Sequence, residues 1–176
     1  MSHTSSDWER QFIELFNQSA EKYRQGHEKV DGFVDAKGLE FLKSIGHTEQ
    51  EFFDFVEDYV KSGNPTPEVS LKIAAVRRDY FLQEQKGKTS SHLISVDKLP
   101  SKDAAVEGIG WLPRIIPKAE AKLRGEMPPE LMFGCGGDRH FFHTHQIDAS
   151  EFLKKVWNAK GNQSEIVSWV KANSKA

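Results

Sequence analysis

Cysteine is nearly missing from this chain: 176 residues contain one, Cys135. An internal disulfide is therefore impossible, and a stapled secreted scaffold is excluded; one thiol fits a reducing compartment. No apolar run approaches the ~18 residues of a membrane-spanning helix. The opening Met1-Ser2-His3-Thr4-Ser5-Ser6 has neither the basic nor the apolar stretch of a secretory leader. Charge of one sign is lacking as well, with 24 Lys and Arg against 26 Asp and Glu for a net charge of −2. Such a balance supplies no polyanion-binding arm. These absences predict a cytoplasmic protein with neither nucleic acid nor membrane as a partner. The length suits one domain or two small ones, since domains commonly run about 100–200 residues.

What is present reads as helix. Ser6 with Glu9 and Thr48 with Glu51 are capping boxes, each followed by apolar residues at helical spacing. Asn64-Pro65-Thr66-Pro67 is a turn, with Thr66 as N-cap and Pro67 at the first helical position. Val69, Ile73, Val76, Tyr80 and Phe81 mark a helix face running to about Gly87. A polar linker follows, and His92 to Val96 alternates weakly, as an extended segment would. Pro100 to Gly110 reads as loop. Because Pro117 sits badly inside a helix, the regular helix is expected to start near Ile116, with Trp111 to Arg114 as a separate turn. Asp148 heads one further helix, and Ser164 is expected to cap the last.

The chain also repeats itself. Glu51-Phe52 and Val56 recur as Glu151-Phe152 and Val156, and Phe41-Leu42 matches Phe141-Phe142. The expected fold is all-α: two related helix–turn–helix units, 1–88 and 89–176, forming one globule with little or no sheet. Features shared by both halves belong to packing, and features of one half are candidates for function.

The second half holds such a feature, Cys135-Gly136-Gly137-Asp138-Arg139-His140-Phe141-Phe142-His143-Thr144-His145. Thiolate and imidazole are zinc ligands. Yet no regular conformation gathers His140, His143, His145 and Cys135, so a metal would need irregular backbone or a further ligand such as Asp138 or His92. The reading names no metal and no cofactor. A cysteine just outside a helix N-terminus can become a thiolate nucleophile, with glycine N–H groups as an oxyanion nest. In that reading His140 or His143 is the base, and Asp138, placed as the helix N-cap, or Glu151 orients it. A cationic cluster is the third feature. Lys118 and Lys122 share a helix face, and Arg114 adds a bidentate fork beside Trp111 and Pro113, with Asp138 as its expected carboxylate.

At these residues the sequence resembles a known family. Gly110-Trp111-Leu112-Pro113-Arg114-Ile115-Ile116, then Lys118-Ala119, Lys122 and Gly125, precede Cys135-Gly136-Gly137-Asp138, Ile147-Asp148 and the closing Glu165-Ile166-Val167-Ser168-Trp169. This set, over about residues 99–171, resembles a bacterial family called domain of unknown function 5069. The resemblance implies that Trp111, Pro113, Arg114, Lys118 and Asp138 belong to the family's pattern. It brings no catalytic role, because the family has no assigned activity. The chain departs from the pattern at Pro117, where an acid is common, and at Glu120, where a base is.

Two functions follow as expectations. One is a binding or interaction module for an anionic small molecule, using Arg114, Lys118, Trp111, Arg139 and the glycine-rich turn at 134–138. The other is an enzyme with Cys135 as nucleophile, His140 or His143 as base and Asp138 in support. A structural role is the third, since twelve Phe and four Trp leave room for an exposed aromatic patch and a homodimer.

Overall fold

The computed structural model describes residues 6–176, and its chain divides into two compact units at Ala75 and Val76. The division falls inside a helix. The first unit holds α1 (Asp7–Arg24), α2 (Ala36–Ser44), α3 (Glu49–Ser62) and the start of α4 (Pro67–Gln83). The second holds the rest of α4, then α5 (Leu112–Arg124), α6 (Gly136–His145), α7 (Ala149–Ala159) and α8 (Gln163–Asn173). The chain is thus mainly α-helical. Its two short strands, β1 (Ala105–Val106) and β2 (Ile109–Gly110), form an antiparallel hairpin.

The start signals act as their chemistry requires. Glu9 accepts from the Ser6 backbone N–H at 2.8 Å, and Thr48 and Glu51 exchange bonds across the first turn of α3. Thr66 accepts from the Val69 N–H above Pro67. In the first unit α1 lays Phe12 and Phe16 against Phe52 of α3, edge to face at 5.7 and 6.0 Å. In the second, α5 packs on α7 and buries Leu112, Ile115, Ala119 and Leu123.

Several local expectations are corrected. The α5 helix starts at Leu112 and runs through Pro117. A helix-interior proline costs about 3 kcal/mol. Each buried aliphatic side chain on this face returns roughly 1.5–3 kcal/mol, so packing outweighs the lost hydrogen bond. The segment from His92 pairs with no strand, although Ser95 is extended as expected, and a 3-10 turn, Val96–Lys98, closes it. The strands lie instead at 105–110, where Glu107 and Gly108, both with positive φ, make the two-residue turn that right-twisted hairpins favour. Asn162, rather than Ser164, caps α8 by accepting from the Glu165 N–H. Asp138 is not the N-cap of α6: Cys135 is, and Asp138 stands three residues on, inside the helix.

The internal repeat extends to helix order and register. Helices α2 and α6 start 100 residues apart, at Ala36 and Gly136, as do α3 and α7, at Glu49 and Ala149. The same turn closes α2 and α6, with the His47 N–H bonded to Leu42 O and the Ile147 N–H to Phe142 O. Between α1 and α5 the offset is 103. Phe12, Phe16, Ser19, Ala20 and Tyr23 are buried, and so are Ile115, Ala119, Lys122, Leu123 and Glu126. Trp8 falls on Trp111, and Leu15 on Lys118.

Candidate functional site

That register shows where the halves differ. In the first unit Gly38 of α2 packs beside α1, and a Cβ added there would stand 3.4 Å from Leu15 Cδ1. The matching positions in the second unit are Asp138 and Lys118. Lys118 donates to Asp138 Oδ2 at 2.6 Å, with both side chains within 2% of full burial. An apolar contact in one half is an ion pair in the other.

Asp138 holds more than the lysine. Its Oδ2 also accepts from the Gly134 N–H at 2.9 Å, and its Oδ1 from Trp111 Nε1 at 2.8 Å. A buried carboxylate with three donors is satisfied, as burial of charge demands. Trp111 needs this hold. It is the N-cap of α5 with φ 70, a left-handed conformation that bulky residues rarely adopt. Gly137 completes the fit, because a Cβ there would come within 2.4 Å of the indole.

The sequence-predicted residues distribute around this centre. Lys118 Nζ also donates to Cys135 Sγ at 3.3 Å, and the thiol is half-buried. Neither His140 nor His143 hydrogen-bonds the thiol; both are exposed on α6. Arg114 does not take Asp138 as its partner. It donates to Pro100 O at 2.8 Å, and its guanidinium carbon stands 6.0 Å from the Trp111 ring. Arg139 donates to Gly134 O at 2.9 Å, with Nη2 3.9 Å from a Cβ placed on Gly136. Lys122 is buried as well. Among the described residues no three His, Cys, Asp or Glu side chains are grouped to hold a metal.

Beside Trp111 opens a cleft of about 390 Å³. Trp111 and Phe141 form its apolar wall, and Lys102, His140, Thr144 and His145 supply its polar groups. No carboxylate lines it among the described residues. Gly137, in the first turn of α6, also reaches it, and Cys135 makes no side-chain cap for that turn. Burial pushes the His145 pKa below the usual imidazole value, and Nδ1 lies 2.8 Å from Ser174 Oγ.

The sequence did not single out Lys102, Phe141 or Thr144. Lys102 belongs to a segment read as loop, and Phe141 counted as a packing residue shared by both halves. The only available signal was helical spacing, which puts Gly137, Phe141 and Thr144 on one face of α6.

No helix among the described residues is long and apolar enough to cross a membrane. Residues 96–176 match the model of a family described as Domain of unknown function (DUF5069). The match falls on the stretch, about residues 99–171, where the sequence resembles that family. No curated protein and no solved structure matches the chain.

Proposed function

We propose that the second half of this chain is a binding module for a small anion carrying a flat apolar body, held in the cleft beside Trp111. The observation that carries this reading is the buried Lys118–Asp138 pair. Such a pair contributes little to stability compared with apolar residues of the same volume. Its evident work here is to fix Trp111, through Nε1, in a conformation an unsupported tryptophan would leave. Lys118 then serves the ligand indirectly, and Arg114 braces the indole. The flat body lies on Trp111 and Phe141. The anionic group meets the first turn of α6 and the donors beside it, Lys102 and His140. At about 390 Å³ the cleft has the size of an ordinary small-molecule site.

Benzoate and inorganic phosphate are suitable probes, read through the Trp111 indole N–H resonance. Benzoate is expected to shift that signal saturably and more tightly than phosphate. Lys102→Ala or His140→Ala is expected to weaken it about three- to tenfold, the worth of one charge-assisted hydrogen bond at an open site. No saturable shift with either probe would sink the reading.

A second reading rests on the Lys118 ammonium 3.3 Å from Cys135 Sγ. It makes Cys135 the nucleophile, with Lys118 rather than a histidine beside the thiolate. Alkylation of Cys135 measured against pH tests it. Full reactivity below pH 7, lost in Lys118→Met, supports the enzyme, because a free thiol titrates near ~8.5. A thiol inert in the folded protein rejects it.

A further inference from the structure

A second cleft in the 76–176 unit has the opposite chemistry. Its volume is about 460 Å³, and its lining includes Tyr80, Glu84, Glu120, Arg124, Trp157 and Lys160. These residues come from the C-terminal ends of three helices: α4 ending at Gln83, α5 at Arg124 and α7 at Ala159. A helix C-terminus carries the negative end of the macrodipole. The carbonyls that end α4 and α5 are taken, Gln83 O by Lys86 Nζ and Leu123 O by Arg77, so the attraction for positive charge rests on the carboxylates of Glu84 and Glu120.

Two aromatic rings form one wall. Tyr80 and Trp157 meet edge to face, with centroids 5.4 Å apart. Trp157 Nε1 donates to Glu84 Oε1 at 2.9 Å, which fixes the indole and leaves Glu84 Oε2 for a ligand. The cations in the lining do not cancel this field. Arg124 is committed to Glu126, Nε to Oε2 at 2.8 Å. Lys160 is exposed at the end of α7, as Glu84 is at the end of α4, so solvent screens both, while Glu120 is half-buried.

We propose that this cleft binds a small organic cation, an alkylammonium group seated against Tyr80 and Trp157 and facing Glu84 and Glu120. Aromatic faces attract such a cation through the ring quadrupole, and carboxylates at the rim add a Coulomb partner. The site is independent of the anion-binding cleft beside Trp111, so either can fail without the other.

Choline chloride is the probe, with sodium chloride matching ionic strength and 3,3-dimethylbutanol as the uncharged isostere. The readout is the Trp157 indole N–H resonance, assigned by its loss in Trp157→Phe. Choline is expected to shift it saturably while the Trp111 signal stays in place. The isostere is expected to bind at least about tenfold more weakly, since it lacks the charge that the rings and carboxylates recognise. Glu84→Gln keeps an oxygen acceptor for Trp157 Nε1, so it removes charge without removing the cleft wall. Both Glu84→Gln and Glu120→Gln should weaken choline several-fold. The proposal is overturned by an isostere that binds as well as choline, by a Glu84→Gln/Glu120→Gln protein with unchanged affinity, or by no saturable shift at all.

Discussion

Asp138 takes hydrogen bonds from Lys118, Trp111 and Gly134, and its position explains why the second unit tolerates an ion pair where the first has Leu15 and Gly38. Removing one member of a buried pair leaves the other charged and unpaired, at a cost of about 3–5 kcal/mol. Asp138→Asn is therefore expected to lose that much stability in chemical denaturation, despite its near-identical shape. Adding Lys118→Met to it should restore a large part of the loss, because the stranded ammonium is gone. If the double variant is as unstable as the sum of the two single ones, Lys118 and Asp138 are not coupled. The roles of Lys118 and Asp138 as a pair were half legible. Both residues stood out in the sequence, but Arg114 looked the better partner for Asp138. Lys118 wins because it lies on the inward face of α5, whereas Arg114 reaches the Pro100 carbonyl at the start of that helix.

Among the elements, α5 shows best how local signals and packing divide the work. Its C-terminus is closed by Gly125 with φ 68 and by the buried Arg77, which donates to Leu123 O and to Gln85 Oε1, both at 2.7 Å. Gln85 in turn donates to Arg124 O. A Cβ on Gly125 would stand 2.4 Å from Arg77 Nη2. Gly63, at the end of α3, has φ 82 and nothing within 4 Å of such a Cβ. Gly63→Ala should therefore cost only the left-handed backbone penalty, about 1–2 kcal/mol. Gly125→Ala should cost more, because it also displaces the arginine that caps α5. Equal losses in thermal denaturation would show that Arg77 moves aside freely. The end of α5 at Gly125 was readable as a glycine stop. Arg77 as its partner was not, because 46 residues separate it from Leu123 and no local pattern links them.

For the whole molecule two groups, His145 and Glu126, tie stability to pH on the acid side. Burial holds the His145 pKa below its ordinary value. As pH falls below about 6.5 the unfolded chain takes up this proton first, so stability declines until the folded imidazole also protonates. His145→Asn, which keeps a polar partner for Ser174, should flatten that part of the profile. Glu126 acts lower on the scale. Burial opposes its ionisation, but hydrogen bonds from Arg124 and Ser90 outweigh this and lower its pKa. Its contribution is present above the ordinary carboxylate range and is lost as pH falls through its lower folded value. A melting temperature unchanged between pH 7.5 and 5.5 would contradict the assignment to His145.

The sequence by itself determined the helical class, the Thr48, Thr66 and Asp148 starts, the repeat at a spacing of 100 and the resemblance of the second half to a known family. These follow from caps, turns and apolar period, which act over a few residues and so are written locally. It also marked Cys135–His145 as the part that differs between the halves. Only the tertiary structure decided which cation meets Asp138, that Pro117 stays inside α5, and where the two clefts open. Those outcomes depend on burial and on groups 20 to 73 residues apart. They are settled by the cost of leaving a charge or a carbonyl unpaired in the core, which no local pattern records.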